Sequence, residues 1–347
     1  MNTMRSFGSD NNSGVHPLIL AAISEANINH AIGYGSDPWT EKAQQEIMLQ
    51  FGENASAFFV FNGTGANVVS INACTRSFHS VICTDAAHIV CDECGAPSKA
   101  SGCLFLPIQT PDGKLTPELI RPKLQGFGDQ HHSQPKLVYI SQCTEWGTVY
   151  SPEEIKAIAD LIHPYGIYLH MDGARIHNAA AALGKTLKEI TVDCGVDILS
   201  FGGTKNGMMM GEAVISFRPE LTADLRFHRK QAAQLFSKMR YASCQFIPYL
   251  HDNLWLTNAS HANKMAQILR EGLLATGCCS LVQSPDANIL LVKMPAAVSA
   301  KLLEKHFFYI WDEVNEIVRF VTSWDTTEDD IQSFLKDLND SLSELNV

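Results

Sequence analysis

A chain of 347 residues, 46% hydrophobic and 18% charged, has enough apolar content to bury a large core, and about two domains is the expected organisation. Its net charge of −11, with 26 basic residues and no long basic run, argues against a phosphate-backbone binder, so no nucleic-acid partner is expected. The N-terminus lacks a positive region followed by an apolar stretch, no window approaches about 18 uninterrupted apolar residues, and the ten cysteines are too sparse for a disulfide framework, so the expectation is a cytoplasmic chain with free thiols and no membrane span.

Between about residues 57 and 217 short apolar runs alternate with helix-like stretches. Strands are predicted at 58–61, 81–84, 104–107, 137–141, 167–171, 198–201 and 213–217, several of them continuous apolar runs of the kind that strands buried on both faces require. A helix is predicted from Ser151-Pro152-Glu153-Glu154 to about residue 163, on a capping Ser, a Pro in the first position and acids in the first turn. This alternation predicts an α/β fold, a seven-stranded mostly parallel sheet with helices on both faces. After about residue 218 a long helical region runs to about 276, with Pro248 expected to break it. A strand (288–294), a helix (296–306), a strand (317–322) and a terminal helix (326–342) follow and read as a smaller α+β unit. The expected division is 1–250, a large domain with the N-terminal segment, and 251–347, the small C-terminal domain.

Cys91 and Cys94 have CxxC spacing, but no second pair accompanies them, so an incidental role is read and no metal site is expected.

Three motifs carry chemistry. Asn62-Gly63-Thr64-Gly65-Ala66-Asn67 follows a predicted strand and opens a helix, where free N–H groups and the Thr64 hydroxyl would suit an anion, although a plain tight turn fits equally. In His170-Met171-Asp172-Gly173-Ala174-Arg175, Asp172 ends an apolar strand, where open α/β sheets bind ligands; it would hold a protonated ring nitrogen or cap a helix starting at Ala174. In Ser200-Phe201-Gly202-Gly203-Thr204-Lys205-Asn206-Gly207 a lone lysine sits in an apolar, Gly-rich stretch that favours its neutral amine, the form Schiff-base chemistry needs, and Met208-Met209-Met210 argues against an exposed loop. A phosphate cradle, a strand-end carboxylate and a buried lysine together match the three anchors of pyridoxal phosphate (PLP).

On these motifs, with Ala86-Ala87-His88 and Ile317-Val318-Arg319-Phe320-Val321-Thr322, the chain resembles the aromatic amino acid β-eliminating lyase/threonine aldolase family of fold-type I PLP enzymes, and its Gly-Gly-Thr-Lys-Asn-Gly segment is similar to the low-specificity L-threonine aldolase branch. The resemblance implies that Lys205 carries the cofactor as a Schiff base, with Thr204 beside it. It implies that Asp172 pairs with the pyridine nitrogen, that Gly63 and Thr64 donate to the phosphate with Arg240 as cationic partner, and that His88 stacks on the ring and is a candidate catalytic base. Ser9, Arg175 and Arg319 would bind the substrate carboxylate, Arg175 also bordering the cofactor. Where many family members carry Thr-His-Asn this chain reads Thr144-Glu145-Trp146, so Glu145 is the candidate for taking the substrate hydroxyl proton, against a reading as a polar loop residue. The implied reaction is cleavage of L-threonine, L-allo-threonine and related β-hydroxy-α-amino acids to glycine and an aldehyde; β-elimination or transamination of another amino acid is the alternative. The implied assembly is a homodimer or homotetramer with shared sites, to which the Gly-rich turn at Tyr34 would contribute.

Overall fold

The computed structural model describes residues 6–345; Met1–Arg5 and the last two residues, which the expected divisions 1–250 and 251–347 include, lie outside the described residues. A seven-stranded sheet consists of β1 (Ser56–Val60), β2 (His79–Thr84), β3 (Leu104–Ile108), β4 (Gln134–Ser141), β5 (Tyr168–Gly173), β6 (Ile198–Gly202) and β7 (Glu212–Ser216), in the spatial order β1-β7-β6-β5-β4-β2-β3. β3, β2, β4, β5 and β6 are parallel, and β7 runs antiparallel between β6 and β1. All seven strands lie on the predicted apolar runs, with shifted ends. β6 and β7 are buried throughout, because apolar side chains cover both faces of the sheet.

The helix Pro152–Ile162 starts as predicted: Ser151 accepts from the Glu154 N–H, and the Glu154 carboxylate accepts from the Ser151 N–H, a reciprocal cap worth about 1 kcal/mol. The helical region is interrupted beside Pro248: the helix Arg240–Ser243 ends before residues 244–245, and Pro248 lies in the first turn of the next helix, Phe246–His251, where a backbone N–H has no intrahelical acceptor to lose. The chain interrupts again at Asn253, left-handed at φ 54°, before the helix Leu254–Ala275.

A four-stranded antiparallel sheet follows, from β8 (Ser280–Leu281), β9 (Ile289–Lys293), β10 (Tyr309–Asp312) and β11 (Ile317–Val321), in the order β10-β11-β9-β8. The sequence reading missed β8, which is two residues long, and β10, whose residues are half-exposed and do not alternate cleanly. This sheet packs on the helices Leu254–Ala275 and Glu328–Leu345 around Phe308, Phe320 and Phe334. Phe7 is buried in the same core, and its N–H donates to the Phe307 carbonyl, so the N-terminal segment is tied to the small sheet before it reaches the large one. A separate cluster joins the loop after β4 (Cys143, Val149) to β9 and β11 (Ile289, Val321), and closes the seam between the two sheets. No described helix is long and apolar enough to cross a membrane.

Candidate active site

At the end of β6 the chain turns tightly. A Cβ on Gly202 would lie 2.9 Å from the Cα of Ala174 and 2.8 Å from a Glu212 carboxylate oxygen, so the ends of β5, β6 and β7 approach this closely only around glycine. The turn Thr204–Asn206 follows. Asn206 anchors it from below, donating to Tyr249 Oη at 2.8 Å and to the Trp255 carbonyl at 2.9 Å, while its own carbonyl accepts from Asn258. With Asn206 pinned, Lys205 points into a cavity of about 600 Å3 that Ser9, His88, Glu145, Arg175 and Arg319 also line. Burial, and then the nearby Arg175, lower the Lys205 pKa, so the neutral amine is more accessible than in water. Of the three methionines that follow, only Met208 is buried; Met209 is exposed.

Glu212 is a buried carboxyl that the sequence reading passed over. It stands opposite Gly202 in the β6–β7 register and bonds to Thr204, whose hydroxyl in turn accepts from the Gly211 N–H at 3.1 Å. Burial pushes its pKa up to about 7.

Asp172 lies at the end of β5 between Ser141 and Ser200 of the neighbouring strands. Its Oδ1 accepts from the Ala174 N–H at 2.9 Å, and its Oδ2 from Tyr139 Oη at 2.7 Å and Asn67 Nδ2 at 2.9 Å. Burial pushes the carboxyl up, but His88 and these three donors outweigh it and hold Asp172 below the usual carboxylate range. The bond to the Ala174 N–H is a local turn and not the expected helix cap, because the following helix starts only at Ile176, with Arg175 in the cap position. Asn67 also donates to Glu93 Oε1 at 2.8 Å, and the same oxygen meets His88 Nδ1 at 2.8 Å. The hydrogen bond to Glu93 raises the His88 pKa and fixes its ring. Tyr139 and Glu93 carried no sequence signal, and Asn67 lay in the first motif without a role of its own, because each acts through a partner distant in sequence.

Gly63 and Thr64 open the helix Gly63–Cys74, capped by Asn62, whose side chain accepts from Gly65 N at 2.7 Å. Nothing lies within 4 Å of where a Gly63 Cβ would stand. Asn67, one turn along this helix, reaches Asp172, so the open N-terminus adjoins the carboxylate.

On the opposite wall Arg175 donates from Nε and Nη2 to the two oxygens of buried Asp10, at 2.7 and 2.8 Å. Ser9 caps the short turn Asp10–Asn12 beside it. Glu145 accepts at Oε1 from Ser141 Oγ (2.7 Å) and the His88 N–H (3.0 Å), while its Oε2 is buried without a partner. Burial raises the Glu145 pKa despite these donors. Two sequence candidates lie elsewhere in the chain. Tyr34, exposed at φ 63°, donates its N–H to the Ser237 carbonyl, and Arg240 bonds to the carbonyls of Ile28 and Asn29. Neither borders the Lys205 cavity, Arg240 lining a separate one with Ile32 and Gly33, and Gly63 and Thr64 are not among the residues that line the Lys205 cavity either.

The donor set fits PLP: an amine of lowered pKa, an ionised carboxylate at a strand end, and a helix N-terminus that is open for a phosphate at Gly63, with Gln234 packed against Gly65. Fold and site define a PLP-dependent enzyme of the fold-type I architecture. The family model of the beta-eliminating lyases matches residues 6–297. A low-specificity L-threonine aldolase of Pseudomonas aeruginosa is 41% identical over 335 residues, 96% of each chain. The structure of a Leishmania major threonine aldolase superposes with a TM-score of 0.91 at 32% identity, covering 96% of this chain and 98% of that one. At the level of fold alone, a serine palmitoyltransferase holding PLP is 15% identical with a TM-score of 0.73, covering 99% of this chain and 88% of that one. The chain belongs to the beta-eliminating lyase family, and it is a PLP-dependent lyase.

Proposed function

We propose that this enzyme cleaves the Cα–Cβ bond of L-threonine, L-allo-threonine and related β-hydroxy-α-amino acids, releasing glycine and an aldehyde, acetaldehyde in the case of threonine. The likeness to the P. aeruginosa aldolase over nearly the whole chain supports the reaction class. The observation that carries it in this chain is Glu145: a buried carboxyl with one oxygen tethered and the other free, in the same cavity as Lys205 and Arg319.

Lys205 would be the attachment point of the cofactor, Asp172 would accept from its ring nitrogen, Gly63, Thr64 and Thr204 would hold its phosphate, and His88 would pack on the ring. When bound, PLP supplies the electron sink for the pair released as Cα–Cβ breaks. Arg319 and Ser9 hold the substrate α-carboxylate, and Arg175, aligned by Asp10, completes that wall. Holding the carboxylate fixes rotation about the bond to Cα and so decides which of its bonds is broken. Glu145 Oε2 takes the β-hydroxyl proton as the C–O bond becomes a carbonyl; a raised pKa suits it to this work near neutrality. Cα then takes up a proton and glycine leaves.

The 1–250 and 251–347 division assigns the cofactor to the large unit and the Arg319 strand to the small one, so the cavity lies across the seam. Tyr34 and Arg240, remote from the chain's own cavity, serve the site of a neighbouring copy in a cytoplasmic homodimer or homotetramer.

Incubation of the PLP-loaded protein with each threonine diastereomer is expected to yield glycine and acetaldehyde in equal amounts. Ammonia with a keto acid would assign it to β-elimination or transamination instead. Borohydride reduction is expected to leave a phosphopyridoxyl group on Lys205; a purified protein that neither binds PLP nor is labelled overturns the assignment.

A further inference from the structure

The two arginines of the substrate wall are held in opposite ways. Arg175 is neutralised by a two-point bond to Asp10. Among the described residues no carboxylate pairs with Arg319. Its Nη2 donates only to the Gly8 carbonyl, at 3.3 Å, and its Nε is buried without a partner. Arg175, Asp10 and Asp92 are the charged groups that face it.

What holds Arg319 is aromatic. Its guanidinium carbon lies 5.3 Å from the Tyr309 ring centroid and 5.4 Å from that of Trp311. Tyr309 stands opposite Arg319 in the β10–β11 register, and the register slips between Ile310 and Asp312, so Trp311 is the extra residue of a bulge. Bulges re-aim side chains at the rims of sheets. Both rings line the Lys205 cavity. Tyr309 is braced by Phe307, with ring centroids 5.2 Å apart, and Phe307 leaves no room for a side chain on Gly8, where a Cβ would stand 2.7 Å away.

A counter-ion on Arg319 would have to be displaced by every incoming carboxylate. Ring faces attract and orient a guanidinium but leave its N–H edges free and its charge intact. We propose that Trp311, with Tyr309, is a positioning and specificity-determining residue: the two rings hold the Arg319 guanidinium at the cavity without neutralising it, and so make a free α-carboxylate the feature by which substrates are selected. This rests on the reading of the cavity as an amino-acid site.

The test uses the PLP-loaded enzyme and two ligands that share the hydroxyl-bearing carbon skeleton, 3-hydroxybutyrate (carboxylate, no amine) and 1-amino-2-propanol (amine, no carboxylate), with binding measured by calorimetry. Trp311→Ala is expected to raise KM for L-threonine about five- to tenfold with kcat within about twofold, the scale of one lost cation–π contact. It is expected to weaken 3-hydroxybutyrate by the same factor and to leave 1-amino-2-propanol unchanged. Trp311→Phe should restore most of the loss. Trp311 lies on an edge strand, so thermal melts of the variants should match the parent. Equal losses for both ligands, a fall in kcat at constant KM, or no rescue by phenylalanine would overturn the proposal. Calorimetry needs no turnover: a parent enzyme that released no glycine would defeat the aldolase reading, while the two ligands would still decide the role of Trp311.

Discussion

Asp10 and Arg175, 165 residues apart, meet through two parallel hydrogen bonds of 2.7 and 2.8 Å, and Asn288 Nδ2 adds a third donor to Asp10 at 3.2 Å. Arg175 offsets the cost of burying Asp10 and holds its carboxyl below the usual range. Removing the negative partner leaves a buried cation, a change of about 3–5 kcal/mol. Asp10→Asn is therefore expected to lower the unfolding free energy by about that amount in urea titrations and to raise KM. Unchanged stability would mean that water compensates Arg175 and that Asp10 aligns nothing.

If Glu145 handles the β-hydroxyl proton, Glu145→Gln should keep the cofactor and the carboxylate wall but lose the chemistry. The expected outcome is a kcat lower by about 10²–10⁴ at near-constant KM, with the visible cofactor band intact. A kcat within about threefold of the parent would return Glu145 to the role of a loop residue tethered to Ser141.

Glu212 ties stability to pH with a definite sign. Its folded pKa, about 7, lies above the ordinary 4.5, so the fold favours the protonated form. The stabilisation is fully present below pH 4.5 and is lost as pH rises through about 7, at most about 3 kcal/mol. His170 and His177, lowered by burial to about 4 and about 3, act in the opposite direction: their contributions are present above pH 6.5 and lost as pH falls. Melts of cofactor-free parent and Glu212→Gln should therefore diverge progressively between pH 5 and 8, with the variant gaining. Parallel curves would show that Glu212 stays ionised with Lys205.

His88, with the donors Asn67 and Tyr139, keeps Asp172 charged. Tyr139→Phe removes one donor from Oδ2 and should weaken PLP binding about tenfold, and the double variant with Asn67→Ala should lose less than the sum of the two singles, since both serve one oxygen. PLP titration followed by absorbance gives the constants. Unaltered affinity in Tyr139→Phe would mean that the Ala174 N–H and Asn67 suffice.

The proposal that Tyr34 serves a neighbouring copy predicts complementation. Lys205→Ala and Tyr34→Ala, each inactive alone, should regain activity when unfolded together and refolded as hybrids, because one site in a hybrid then has both residues. Activity that stays absent after verified exchange would confine Tyr34 to its own chain.

Much of this molecule was open to sequence reading because its signals are local. Strands buried on both faces must be continuous apolar runs, a reciprocal cap needs Ser and Glu three residues apart, and a tight turn that aims a lysine into a cavity at a strand end needs glycine around it; β6, Ser151–Glu154 and Gly202–Lys205 all follow these rules. The break beside Pro248 follows the same kind of local rule, whereas the break at Asn253 carries no such signal. Tertiary structure alone decided the rest. The Asp10–Arg175 bond, the Asn67 bridge between Glu93 and Asp172, the pairing of Glu212 with the Lys205 turn, and the rings around Arg319 all join distant segments, and no pattern in one segment encodes the partner it will meet. The sequence alone determined which residue types stand at the ends of the strands; burial and contact there decided which are charged, which are paired and which are left free.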